Sequence, residues 1–427
     1  MRRYLLTVLI IILMPASAYC ADGIWNLTGG FGIAFSEDRS GEETRTLGVL
    51  IMTPSYRSEH WAFSLDLSPR WNFEGMGFLE EEWKRKGDFI RPLNELTFKS
   101  GSGSFNVGLA TVNGLSIGSR QLVRGVRGDA EFNYVLPGFI FNGTWGKTEF
   151  EMLVDRVVDP QLTAVALKYR PKPGTAVVLE SAVDPDAPID FTNVFEDGRP
   201  KADTQERVAG HNIQGHVRIL NRRVLDMWIK LNSGSLGRDS AGKGGSLMVE
   251  LDFSQFYLNR LTIEAGTVQC DNGYVPAYFD ELYLLERWGL TGRGATQRKL
   301  FPQGSTAPDR RMDSIWLRYA IGEHFSVETS YDRFDDNSMR RSGLSLKLLE
   351  EDKRGLEADI WSRAFGEDQT LFSNDGDLFT RIGALYSFLP HLLLKLSLQH
   401  SWVFDETAGG LIPTTDVLIG TVYSISL

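Results

Sequence analysis

HFSVETSYDRF, residues 324 to 334, sets Phe325, Val327, Thr329 and Tyr331 on one side of the chain and Ser326, Glu328, Ser330 and Asp332 on the other. Side chains alternate in this way along a strand, so the stretch reads as a β-strand whose two faces meet different solvents. The same period returns in LLLKLSLQH, 392 to 400, with Leu392, Leu394, Leu396 and Leu398 against Lys395, Ser397 and Gln399. It runs to the end of the chain through Val417, Ile419, Tyr423, Ile425 and Leu427.

Working outward, the pattern predicts about 20 strands, an even number, within a range of 18 to 22. Short turns are expected after every second strand. They fall at Arg57-Ser58-Glu59, 100–103, Gly146-Lys147, Pro171-Lys172-Pro173, 221–223, 254–258, Gly322-Glu323, 350–353 and Leu389-Pro390. Long connections near 74–92, 113–128, 184–207, 270–311 and 365–376 all fall at the opposite end. One segment, 129–145, is taken as a single strand through Pro137, because splitting it breaks this parity. Strict alternation of short and long connections is the layout of an up-and-down transmembrane barrel.

The amino end says how such a sheet would reach a membrane. Arg2 and Arg3 precede an apolar run from Leu5 to Met14, then Pro15 and small residues, as in a secretory leader cut between residues 18 and 21. That run is too short to span a bilayer, and no later run approaches the roughly 20 residues a membrane helix needs. A single all-β domain over 22–427 follows. The formal charge of -10 disfavours nucleic acid as a partner, and Cys20 and Cys270 alone make no disulfide framework.

Gly420, Tyr423 and Ile425 in the last strand resemble the closing signal of Gram-negative outer-membrane barrels, although Leu427 stands where that class favours an aromatic. The resemblance implies recognition by the barrel-assembly machinery and a porin-like barrel surrounded by outer-membrane lipid.

With the apolar positions facing lipid, the lumen receives Asp66, Arg70, Arg218, Lys230, Glu250, Arg260, Glu264, Arg318, Glu328, Asp332, Glu357, Arg363, Arg381 and Lys395. A water-filled lumen keeps such groups hydrated, whereas a soluble sandwich would bury them at several kcal/mol each unless paired. Twenty strands spaced ~4.8 Å and tilted ~40° enclose a backbone diameter of roughly 40 Å, which side chains alone do not fill. By parity Trp228, Trp316 and Trp361 share the polar face.

Two connections carry candidate sites. In 270–311 the run from Pro276 to Trp288, followed by Gly289, reads as a short helix with Tyr278, Leu282, Leu285 and Trp288 on one face, a constriction or docking element. In QLVRGVRG, Arg120, Arg124 and Arg127 form an anion-binding segment, for which lipopolysaccharide phosphates are the simplest ligand.

Catalysis and cofactors find no support in the motifs. The six histidines sit mostly at turns or strand ends, adjacent His400 and Ser401 point to opposite faces, and there is no CxxCH, HExxH or Walker loop. The expectation is therefore a channel without metal or cofactor that passes small hydrophilic solutes. The alternative is a barrel sheath that wraps a multihaem cytochrome supplied by a partner chain.

Overall fold

The computed structural model describes residues 23–427 except 38–43, 74–76, 79–87, 128–134, 197–198, 238–241, 257–258, 272–273, 275–278, 280–309, 323, 337–338, 351–353, 366–369, 373–376, 390, 406–409 and 427. The leader, the helix expected over 276–288 and Leu427 therefore lie outside the described residues.

Twenty strands form the wall. They are β1 (Ile24–Glu37), β2 (Thr44–Arg57), β3 (Trp61–Leu65, resumed at Arg70–Asn72), β4 (Leu93–Lys99), β5 (Phe105–Thr111), β6 (Pro137–Trp145), β7 (Thr148–Val154), β8 (Thr163–Tyr169), β9 (Thr175–Glu196) and β10 (Arg199–Arg222). The second half comprises β11 (Leu225–Gly237), β12 (Gly242–Phe256), β13 (Asn259–Asp271), β14 (Arg310–Ile321), β15 (Phe325–Phe334), β16 (Met339–Glu350), β17 (Arg354–Phe365), β18 (Asp377–Leu389), β19 (Leu392–Asp405) and β20 (Gly410–Ser426). Each strand pairs antiparallel with the next, and β20 returns to β1 from Asn26↔Ser426 to Ser36↔Asp416, which closes the barrel. Closure removes the edges that an open sheet would leave unpaired in lipid.

Alternation carries through to the two surfaces. Leu231 is 60% exposed on the outside, while the adjacent Lys230 is 9% exposed and points inward. Phe31, Leu179, Ile213, Leu247, Ile315 and Ile419 continue the apolar outer face. At the short-turn end, rings meet across neighbouring strands: Trp61 and Phe98 have centroids 4.8 Å apart, Phe98 and Phe105 5.9 Å, and Phe141 and Phe150 5.6 Å. Aromatic rings at this level are the girdle of a transmembrane barrel, where an amphipathic ring suits the headgroup boundary.

Three expectations change. The strand read over 129–145 begins at Pro137, whose missing N–H is tolerated at a strand's first residue, and 128–134 lie outside the described residues. The stretch 184–207 is no separate loop: β9 and β10 continue as a paired ribbon beyond their neighbours. A register shift between Asp184 and Ala187 takes up Pro185 as a bulge, and Pro188 stays paired opposite Gln205 just before the next shift, so the ladder survives residues that usually end a strand. The inner face is also less uniformly polar than parity implies. Val112, Leu122, Val123, Val126, Leu153 and Leu236 form a buried apolar cluster, and Val49, Ile51, Leu393 and Val422 belong to a smaller one.

Candidate functional site

The connection after β5 decides what the lumen is. Residues 113–127 leave the long-loop end and fold into the barrel, held by groups from strands on both sides of the ring, from β7 to β17. Gly118 N donates to Glu151 of β7 at 2.8 Å. Leu122 N and Val123 N donate to one oxygen of Glu180 on β9 at 3.3 and 3.1 Å, and Ser119 Oγ donates to the other at 2.5 Å. Asn212 on β10 donates to Ser119 Oγ at 2.7 Å. On the far wall, Arg124 pairs with Asp332 of β15, which also accepts from Arg341 at 2.6 Å and from Ser314 at 2.5 Å. Arg127 reaches Asp359 of β17 at 3.2 Å and lies over the Phe379 ring at 4.8 Å.

The loop is also packed as a core element. Ile117, Leu122, Val123 and Val126 are buried against wall residues such as Leu153 and Leu236. From the 270–311 connection, Phe279 forms a short parallel bridge with Val123, accepts from Arg124 N at 3.0 Å and donates to Leu122 O at 3.1 Å. Tyr274 and Phe279 are themselves buried in this cluster. Among the described residues the constriction is the 113–127 loop, joined by Tyr274 and Phe279 of the 270–311 connection. Tyr278, Leu282, Leu285 and Trp288 lie outside the described residues.

Arg120, Arg124 and Arg127 consequently stand inside the barrel. Arg124 and Arg127 face wall carboxylates. Arg120 instead stacks on Trp316 at 4.1 Å from the ring centre, while Trp316 Nε1 donates to Glu328 at 2.8 Å. Arg120 has φ 64, an uncommon value for a residue with a Cβ, in a tight turn whose Gly118 has φ 58.

Below the loop, toward the short turns, lies a cavity of about 860 Å³. Its walls carry Lys230, Glu250, Arg260, Glu264 and Arg318 from the residues expected to line a lumen, with Trp228 and Trp316. Arg218 stands at the same level: its guanidinium is 3.5 Å from Asp226 and 5.4 Å from the centre of the Trp228 ring. Charges at the wall are unequal. Arg120, Lys147, Lys168, Arg170, Lys172, Lys230, Arg260 and Arg318 face Asp226, Glu250, Asp252 and Glu264.

Those four carboxylates are already engaged. Lys230 holds Glu250 at 2.6 Å and also Glu264, Arg260 takes Asp252 through two nitrogens at 3.1 and 2.6 Å, and Arg218 takes Asp226. Among the described residues, Arg120, Lys147, Lys172 and Arg318 have no carboxylate at ion-pair distance. The vestibule therefore presents a net cationic surface inside a chain that is acidic overall.

The other expected lumen residues lie higher or on the opposite wall. Arg70 reaches across β1 and β2 to Asp416 with two bonds of 3.3 and 2.9 Å. Arg381 lies between Glu357 and Asp359 at 3.7 and 3.8 Å, and Arg363 is buried nearby in β17. Glu328, Asp332 and Lys395 point inward by register. Asp66 sits in the break of β3, bonded by Ser68. Trp361 is inward but packs on Gly343, where a Cβ would stand 1.6 Å from its ring. Glu180 and Glu151, which hold the loop, are missing from the sequence-based selection although both lie at inward strand positions.

No family model and no curated protein matches the chain. The solved structures it is similar to include three proteins of Pseudomonas aeruginosa. OccK8 (OprE) is 11% identical, with 95% of this chain and 98% of that chain covered at a TM-score of 0.34. OpdO is 11% identical, with 95% and 98% covered at 0.38. The outer membrane protein OprD is 10% identical, with 95% and 94% covered at 0.34. The fold assignment rests on the closed ladder itself: an antiparallel barrel, apolar outside and charged inside, narrowed by its own loop, is a porin-like transmembrane β-barrel.

Proposed function

We propose that this barrel is a channel of a Gram-negative outer membrane that passes small hydrophilic solutes and favours anions among them. The observation that carries the reading is the vestibule under the inward loop, where eight cationic side chains, two of them (Lys168 and Arg170) paired with Glu149, face four carboxylates that are already paired, which leaves Arg120, Lys147, Lys172 and Arg318 in excess. A cleft with an excess of one sign of charge between low-dielectric walls concentrates the opposite sign, so an anion gains in the vestibule next to the constriction. Two Arg–Trp stacks, Arg120 on Trp316 and Arg218 on Trp228, add flat surfaces along which a planar solute can slide.

Export by a leader over 1–21, insertion by the barrel-assembly machinery and contact with outer-membrane lipid belong to the same reading. The sheath alternative has no observation behind it. The loop of 113–127 occupies the volume that a sheath would leave to a cytochrome, and it is bonded to the wall on opposite sides.

The test is the reversal potential of the purified chain in a planar bilayer under a KCl gradient. A potential on the chloride side supports the reading. A potential on the potassium side contradicts the anion preference, and liposomes that stay impermeable to small sugars contradict the channel.

A further inference from the structure

We propose that Glu180 is the positioning residue of the constriction: its one carboxylate pins the tip of the 113–127 loop across the lumen and so fixes both the aperture and the place of Arg120. This rests on the channel reading for its consequences in conduction, but the pinning is testable without it.

Five donors converge on this side chain. Oε1 accepts Leu122 N at 3.3 Å and Val123 N at 3.1 Å, and Oε2 accepts Ser119 N at 3.4 Å, Ser119 Oγ at 2.5 Å and Asn212 Nδ2 at 3.4 Å. Three of these are backbone N–H groups, so changes of loop side chains leave them in place. Only loss of the acceptor removes them together. Successive N–H groups turned onto one anion form the concave arrangement by which loops commonly hold phosphates; here the anion is part of the wall. Glu180 is 3% exposed and sits between Leu179 and Ser181, which face outward, so the strand does not need a charge there.

The consequence for Arg120 follows from its position between the pinned residues. Its φ of 64 persists only while its neighbours are held on both sides, because an unfavourable backbone conformation needs surroundings that over-determine it. Release of Ser119, Leu122 and Val123 frees Arg120 to relax and leave Trp316.

The experiment compares the full chain, purified in detergent, with Glu180→Gln, Glu180→Ala and Glu151→Gln. Gln keeps the volume of Glu but replaces one acceptor with a donor that faces other donors. Heat-modifiable migration in gels reports that the barrel has closed, and Glu180→Gln carries the test if the alanine variant does not fold. Hydrogen exchange is read over 115–126. Protection at residues 119–123 should be lost in both Glu180 variants, with β8 to β10 unchanged, whereas Glu151→Gln should affect Gly118 alone. Retained protection in a folded Glu180 variant overturns the proposal.

In bilayers the Glu180 variants should show a larger, noisier current with reduced anion preference. Unchanged current and preference in a variant that has lost protection overturns the claim about aperture. A wild-type chain that does not conduct sinks the channel reading instead, and leaves the exchange result to decide the pinning.

Discussion

Arg127 meets Asp359 of β17 at 3.2 Å, while Gly118, earlier in the same loop, meets Glu151 of β7. Those two strands are half the ring apart, so the loop spans the lumen and does not merely line one wall. Between the two anchors it is bonded to β9 and β15, and its apolar side chains are buried. A segment tied down at both ends and packed between behaves as a fixed partition, and in the proposed channel solutes would pass beside it into the cationic vestibule.

Asp332 is the far anchor, shared by Arg124, Arg341 and Ser314 and almost fully buried. Asp332→Asn leaves two guanidinium groups without their charge partner. Breaking a buried pair in this way costs about 3–5 kcal/mol. A urea titration of the vesicle-inserted barrel should show a lowered midpoint; an unchanged midpoint would show that the wall does not depend on this node.

Leu231→Arg places a charge on the lipid face and should destabilise the barrel by about 2–4 kcal/mol near the bilayer midplane. Ser326→Arg, on the lumen side next to Val327, should stay within about 0.5 kcal/mol, because its charge remains in water. Unfolding free energies of the two variants in the same vesicles check the orientation of the wall. Equal losses would argue against a lipid-facing exterior.

The inward and outward faces, the even strand number and the end carrying short turns were all legible in the sequence, because a strand's side-chain direction is set by local alternation. The path of the 113–127 loop was not. It is fixed by acceptors remote in the chain, Glu180, Asp332 and Asp359, and alternation gives no means of pairing such residues with a loop. One signal was present: Ile117, Leu122, Val123 and Val126 make this segment more apolar than a solvated connection needs to be. The same gap explains 184–207, where Pro185 and Pro188 read as loop residues but lie in or beside irregularities of a continuing ladder.

Arg120→Glu combined with Arg318→Glu should move the reversal potential from the chloride side toward the potassium side, since both side chains face the vestibule without a carboxylate partner among the described residues. In the wild-type chain the preference should fade as salt rises, because the screening length falls from about 10 Å at 0.1 M to about 3 Å at 1 M. A preference independent of salt would mean that size, and not charge, selects.

Gly343→Ala tests the packing of the β16–β17 wall. Its Cβ would overlap the Trp361 ring, which has to turn away, at a cost of about 1–3 kcal/mol for an overpacked site. Tryptophan fluorescence should shift to longer wavelength as the ring leaves its buried seat, and an unshifted spectrum with unchanged stability would contradict the contact.

The most direct test of the central claim is single-channel conductance of the chain before and after residues 115–125 are replaced by a short glycine-serine link. The account predicts a small, steady conductance that rises sharply once the partition is gone. Equal conductance in the two proteins would contradict it, and would place the limiting aperture elsewhere in the barrel.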